Sequence, residues 1–333
     1  MKKAAAFITA ISILLLTGCG GVRLNFSGVS PFRNIRDEAV ISAVDQAVDD
    51  YQTQSGGEGV SAAVMRGKET YFTGRGSMNE HTVMPIGDMT QMFMGMLVSH
   101  FENRKYVDKT ATLSGRLKTP EALPEAVGSL ELWQLACNIS GLGGVDTGEK
   151  DYFTAGMLYE QLGSVALEYE PGTQRHGSEM GYALLTEYLR QSYNMNANFV
   201  NMINNEVITR FDLQDSSFAR RDMLAAYDGY QSTVYDLLKV AGYCGGMLEN
   251  DETLSKLVSG AEEEMWSGDG QRVSLAFDIS EIDGYNLYSR SGESGGVMSY
   301  VAFIPELGIG VSAISDGGGE LSGLCAQLIE AVK

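Results

Sequence analysis

Positive charge is scarce in this chain: 24 Lys and Arg stand against 43 Asp and Glu in 333 residues, a net charge of -19. Nucleic acid and anionic lipid headgroups are therefore excluded as partners, since both would be repelled. The acids are scattered without a long single-sign run, so they read as a solvated surface rather than a tail. Histidine is scarcer still: His81, His100 and His176 have no metal-ligand spacing, so no zinc site and no other metal or cofactor is expected. Beyond Cys19 only Cys137, Cys244 and Cys325 remain. An odd number of widely separated cysteines does not make a disulfide framework, and they read as small buried apolar residues. Tandem repeats are absent. Apolar residues are plentiful at 44%, enough for the core of one large domain or two small ones.

The N-terminus has its own pattern. Lys2 and Lys3 precede an apolar run over 4–16, "AAAFITAISILLL", which is too short to span a bilayer as a mature helix and has the form of a secretory signal. The following Leu16–Cys19, "LTGC", resembles the bacterial lipobox, in which the Cys thiol is diacylated and becomes the mature N-terminus. Residues 1–18 are therefore expected to be a lipoprotein signal peptide and 19–36 a lipid-anchored tether, rich in Gly and Ser and containing Pro31. Acyl chains on Cys19, at roughly 0.8 kcal/mol per buried methylene, would hold the protein on the extracytoplasmic face of a bacterial membrane. Loss of residues 1–18 removes two lysines and no acid, so the mature chain is more acidic still.

Residues 37–333 read as one domain. Helical periodicity runs over 37–52, and 59–76 reads as a hairpin turning at Arg66-Gly67-Lys68. From about 88 to 220 the pattern is mostly helical, broken at Gly141–Gly144 and Pro171-Gly172. Ser232 or Thr233 is placed to N-cap the next helix, with Asp236 completing a capping box. Strand signals return over 272–279, 285–290, 297–304 and 308–315, and a closing helix is expected over 320–332. Early and late strands separated by a helical block predict an α/β (α+β) architecture. Its sheet part (37–76 and 225–333) would be one antiparallel sheet flanked by the terminal helices, beside a helical lobe over 77–224. A crevice between sheet and lobe is the natural ligand site.

The ordered stretches "SLELWQLACNISGLGG" (129–144), "YEPGTQRHGSEMGYALLTEYL" (169–189), "ITRFDLQDSSFA" (208–219), "YQSTVYDLLKV" (230–240) and "SRSGESGGVMSYVAFIPELGIGVSAIS" (from 289) carry a resemblance. Together they resemble the serine β-lactamase and penicillin-binding-protein superfamily, in the branch of class C β-lactamases and D-alanyl-D-alanine carboxypeptidases. The resemblance implies the β-lactamase/transpeptidase fold and, in that family, a nucleophilic Ser at a helix start with a Lys one turn later. It further implies a Tyr-x-Asn motif and a third motif carrying a cation and a Gly. Carried over, the Ser falls on Asp88, the Lys on Gln91, the Tyr on Gly177, the Asn on Glu179 and the third motif on Arg290-Ser291-Gly292. Nucleophile, base and proton relay are all replaced. Attack by Asp88 would give an anhydride, and Gln91 has no titratable proton.

Asp88 and Gln91 admit two readings. In the first, Asp88 N-caps a Met-rich buried helix and Gln91, three residues on, completes a reciprocal capping box worth about 1 kcal/mol. In the second, Asp88, Glu179, Arg290 and nearby His176 converge in a ligand pocket, unless an Asp88–Arg290 ion pair fills it. Ser178 has no base near it in sequence and is not expected to be a nucleophile. The function expected is that of a lipid-anchored pseudoenzyme, binding or scaffolding at the cell envelope, with a peptidoglycan-derived peptide or an envelope protein as partner. An active hydrolase on a non-standard site (β-lactamase, D-Ala-D-Ala carboxypeptidase or esterase-like) is the alternative, and a purely structural tether with a filled crevice is the third.

Overall fold

The computed structural model describes residues 30–333; the signal-peptide and lipidation expectations, Cys19 included, lie outside the described residues. Among the described residues twelve strands are formed: β1 (Arg33–Asn34), β2 (Gly59–Arg66), β3 (Glu69–Gly76), β4 (Met84–Pro85), β5 (Ser217–Phe218), β6 (Tyr230–Ser232), β7 (Glu264–Gly268), β8 (Gln271–Ser274), β9 (Asp278–Ile282), β10 (Tyr285–Ser294), β11 (Val297–Ile304) and β12 (Ile309–Ser315). Nine make one sheet in the order β1-β3-β2-β12-β11-β10-β9-β8-β7, and β4-β6-β5 make a small second sheet. Strand β12 pairs antiparallel with β2, Ala313 opposite Ala62, so the early hairpin closes onto the late strands. Every pairing in the large sheet is antiparallel except β1 with β3.

Strand β2 explains the layering. All of Gly59–Met65 is buried, because the sheet is covered on both faces there and alternation is replaced by a continuous apolar run. Val60, Ala62 and Val64 join Val44 and Val48 of the helix Glu38–Ser55 and Leu324, Leu328 and Val332 of the helix Ser322–Val332 in one core. Ala63 and Met65 point the other way, into a core with the helix Gln91–Asn103, whose residues 91–101 are all buried. The Met-rich run is thus the interior of the molecule. Each of these large apolar side chains contributes about 1.5–3 kcal/mol on burial. Cys137, Cys244 and Cys325 are free and buried.

Several expectations are corrected. The run over 272–279 is two strands, not one: the Ser274 hydroxyl accepts from Phe277 N (2.9 Å) and the two backbones pair in a tight turn that sends Leu275–Phe277 into the core. Strand β7 was not anticipated, since its alternation is interrupted by a bulge between Glu264 and Trp266. Within the expected tether, Arg33–Asn34 is an edge strand, with Arg33 N bonded to Lys68 O at 2.9 Å. Thr233, not Ser232, caps the helix Val234–Cys244, accepting from Asp236 N. The Asp236 carboxylate does not return to the cap. It accepts from Asp215 N and Ser216 Oγ instead, tying down the end of the helical block.

Candidate functional site

The helix Gln91–Asn103 is preceded by a 3-10 turn, Gly87–Thr90, that carries Asp88. That turn presses against the end of β10. Gly87 has φ +54, and a side chain on it would overlap Glu293 O at 2.0 Å; a side chain on Gly292 would overlap Ile86 O at 2.1 Å. Glycine at both places is what lets turn and strand touch. Hydroxyls then pin the turn: Ser299 Oγ donates to Ile86 O (3.0 Å), Thr90 Oγ1 to Gly87 O (2.6 Å), and Tyr230 N to Thr90 Oγ1 (3.1 Å).

The capping-box reading is overturned here. Asp88 Oδ1 accepts from Glu293 N at 3.1 Å, across to the sheet, and the helix cap position is Thr90, which makes no side-chain cap. The extra 3-10 turn displaces Asp88 from the first helical N–H groups, so it caps nothing. Gln91 is 1% exposed. Its Oε1 accepts from Arg290 Nη2 at 2.6 Å and from Asn138 Nδ2 at 2.7 Å, while its Nε2 is buried without a partner.

Asp88, Asn138, Arg175, Gly177, Gln271, Asp278, Arg290 and Ser291 line one polar cleft of about 250 Å³. The carried-over positions 88, 177 and 290 therefore do meet, with Gln91 directly behind and Gly292 under the turn. No Asp88–Arg290 ion pair is among the ion pairs of the described residues; Arg290 turns to Gln91. Burial opposes the charge on Arg290, but the Asp278 carboxylate, and more distantly Asp88, outweigh it and hold its pKa above the ordinary arginine value. Arg175 Nη1 lies 2.6 Å from Asp278 Oδ1, so two guanidiniums flank one carboxylate. Burial also pushes the neighbouring Cys137 thiol up to about 12, which leaves it inert as a nucleophile.

The remaining candidates lie to one side. Glu179, first residue of the helix Glu179–Tyr193, accepts from Val145 N at 3.2 Å and is not in the cleft wall. His176 is exposed and leans on the Tyr169 ring, 5.5 Å between centroids. Ser178 caps the Glu179–Tyr193 helix, accepting from Gly181 N and donating to Gly143 O, both at 2.8 Å, which uses up its hydroxyl. Sequence reasoning missed four groups: Arg175, Asp278, Gln271 and Asn138. Only Asn138 carried a signal, an Asn before the Ser140-Gly141-Leu142 turn that adopts φ +60, a conformation Asn tolerates. Its amide joins Gln91 to the second motif, since its Oδ1 accepts from Ser178 N at 3.3 Å. Among the described residues no cluster of His, Cys, Asp or Glu is suited to a metal ion.

A sheet covered by terminal helices on one face, with a polar cleft where a buried helix begins against β10, defines a β-lactamase-like protein. A family model described as Beta-lactamase matches residues 44–330, and the chain belongs to that family. Solved structures agree in fold. A class C beta-lactamase superposes with a TM-score of 0.79 at 14% identity, over 90% of this chain and 96% of its own. A beta-lactamase/D-alanine carboxypeptidase from Pseudomonas syringae does so with a TM-score of 0.76 at 16% identity, over 88% and 98%. A class C beta-lactamase in complex with cefoxitin gives 0.77 at 14%, over 90% and 99%. No curated protein matches the chain in sequence.

Proposed function

We propose that this protein is a lipid-anchored, extracytoplasmic member of the family that binds a small anionic, peptide-like ligand at the cell envelope and does not form an acyl-enzyme. The observation that carries this reading is Gln91. Where the resemblance calls for a lysine base, its amide oxygen instead ties Arg290 and Asn138 together beside Asp88. Neither Lys nor His is among the residues that line the cleft, and the Ser291 hydroxyl there is on an exposed residue. What the cleft holds instead is two guanidiniums beside the Asp88 and Asp278 carboxylates, and the guanidiniums are donors suited to carboxylate. A peptide ending in a free carboxylate, of the kind released from peptidoglycan, has that chemistry.

The test is incubation with a fluorescent penicillin followed by denaturing electrophoresis. No label is expected to survive denaturation; a stable covalent adduct would overturn the proposal. The anchor is tested separately by radiolabelled palmitate, which should label the wild type and not Cys19→Ser.

A further inference from the structure

Gly177 leaves a gap in the cleft wall, and a side chain from elsewhere fills it. A methyl group on Gly177 would stand 2.8 Å from the Tyr227 hydroxyl oxygen, with the Tyr227 ring edge at 3.8 Å. Tyr227 comes from the short helix Ala225–Asp228, far along the chain. Its ring is held edge-to-face on Tyr182, 5.8 Å between centroids and 66° between planes. Tyr182 is itself fully buried and donates to Ala136 O at 2.7 Å. The phenol is therefore set by packing, while its hydroxyl makes no hydrogen bond to any described residue and is not among the sealed polar atoms. A positioned hydroxyl left free beside Gly177, itself a lining residue of the polar cleft, is a group available to a ligand.

We infer that Tyr227 supplies the ligand-directed hydroxyl of this cleft, occupying the space that a side chain at 177 would take and donating a hydrogen bond to an oxygen of the bound molecule. The inference rests on the cleft being a binding site. The donor role follows from the surroundings: burial, then the Asp88, Glu179 and Asp228 carboxylates, raise the Tyr227 pKa and keep its proton on. The group is thus a hydrogen-bond donor and not a base, and it assists binding rather than bond cleavage. Gly177 and Tyr227 form one unit, since any side chain at 177 must push the hydroxyl away.

The probe is N-acetyl-D-alanyl-D-alanine, titrated calorimetrically into the full chain as wild type, Tyr227→Phe, Gly177→Ala and Arg290→Met. Tyr227→Phe should weaken binding roughly tenfold with an unchanged thermal midpoint, because the lost hydroxyl bonds to nothing in the protein. Gly177→Ala should weaken binding similarly and shift the Tyr227 ring carbon signal in spectra of tyrosine-labelled protein. If Arg290→Met weakens binding while Tyr227→Phe binds like wild type, the inference falls and the binding cleft stands. If the probe binds no form at all, both fall. An unmoved Tyr227 signal in Gly177→Ala would also overturn the inference, whatever the probe does.

Discussion

The two faces of the large sheet are built by opposite rules. On the face toward the terminal helices, Val44, Val48, Val60, Val64, Leu324, Leu328 and Val332 interlock with no charged side chain among them. Around the cleft on the other face, a buried Arg290 meets Gln91, and polar atoms are left over: Gln91 Nε2 and Arg175 Nε are sealed from solvent with no hydrogen-bond partner. Each such orphan costs about 1–3 kcal/mol. Sealed polar atoms also occur on the first side, at Gln52 Oε1 and Ser55 Oγ, but they lie near the end of the helix Glu38–Ser55, whereas those of the second gather around the cleft.

That contrast can be broken most forcefully on the apolar side. Leu328 is fully buried, and Leu328→Ala is expected to lower stability by about 2–5 kcal/mol, read as a lower denaturation midpoint with the cleft chemistry unchanged. Arg290→Met should do the reverse. An apolar side chain of similar length in place of a buried ion is often neutral for stability, and Asp278 keeps its partner Arg175. The midpoint should move less than for Leu328→Ala, while binding of the dipeptide falls at least roughly tenfold. If Arg290→Met unfolds the protein as readily as Leu328→Ala, the two faces are not different in kind.

The smallest effect concerns Glu262, at the end of the helix Glu252–Glu262, which packs on the helix Gln91–Asn103. Burial, and after it Glu306, raises its carboxyl from 4.5 to about 8. The folded state therefore holds this proton more tightly than the unfolded chain. The stability it contributes is full below pH 4.5 and is lost as pH rises toward about 8. Glu262→Gln should flatten the fall in denaturation midpoint between those limits, and parallel curves for variant and wild type would refute the assignment.

Much of this was legible in the sequence, for identifiable reasons. The hairpin, the last three C-terminal strands and the terminal helices follow from periodicity and turns, which local chemistry controls. Of the four residues expected to converge, Asp88 and Arg290 line the cleft, as motif order survives when motif residues change, while Glu179 and His176 lie to one side. The capping box failed because spacing alone does not reveal that a 3-10 turn intervenes and that Asp88 has a better partner in Glu293 N. Arg175, Asp278 and Tyr227 were invisible because their meaning lies in contacts between segments far apart in the chain: Arg175 to Asp278, and Tyr227 to Gly177.

The glycine-to-backbone contacts at 87 and 292 carry an evolutionary consequence. Because neither position accepts even a methyl group, the helix start and its adjoining strand can only drift as a block. Descendants of this gene that alter the cleft must do so by exchanging side chains around it, or by recruiting groups from the helical lobe, and not by reshaping the seam itself.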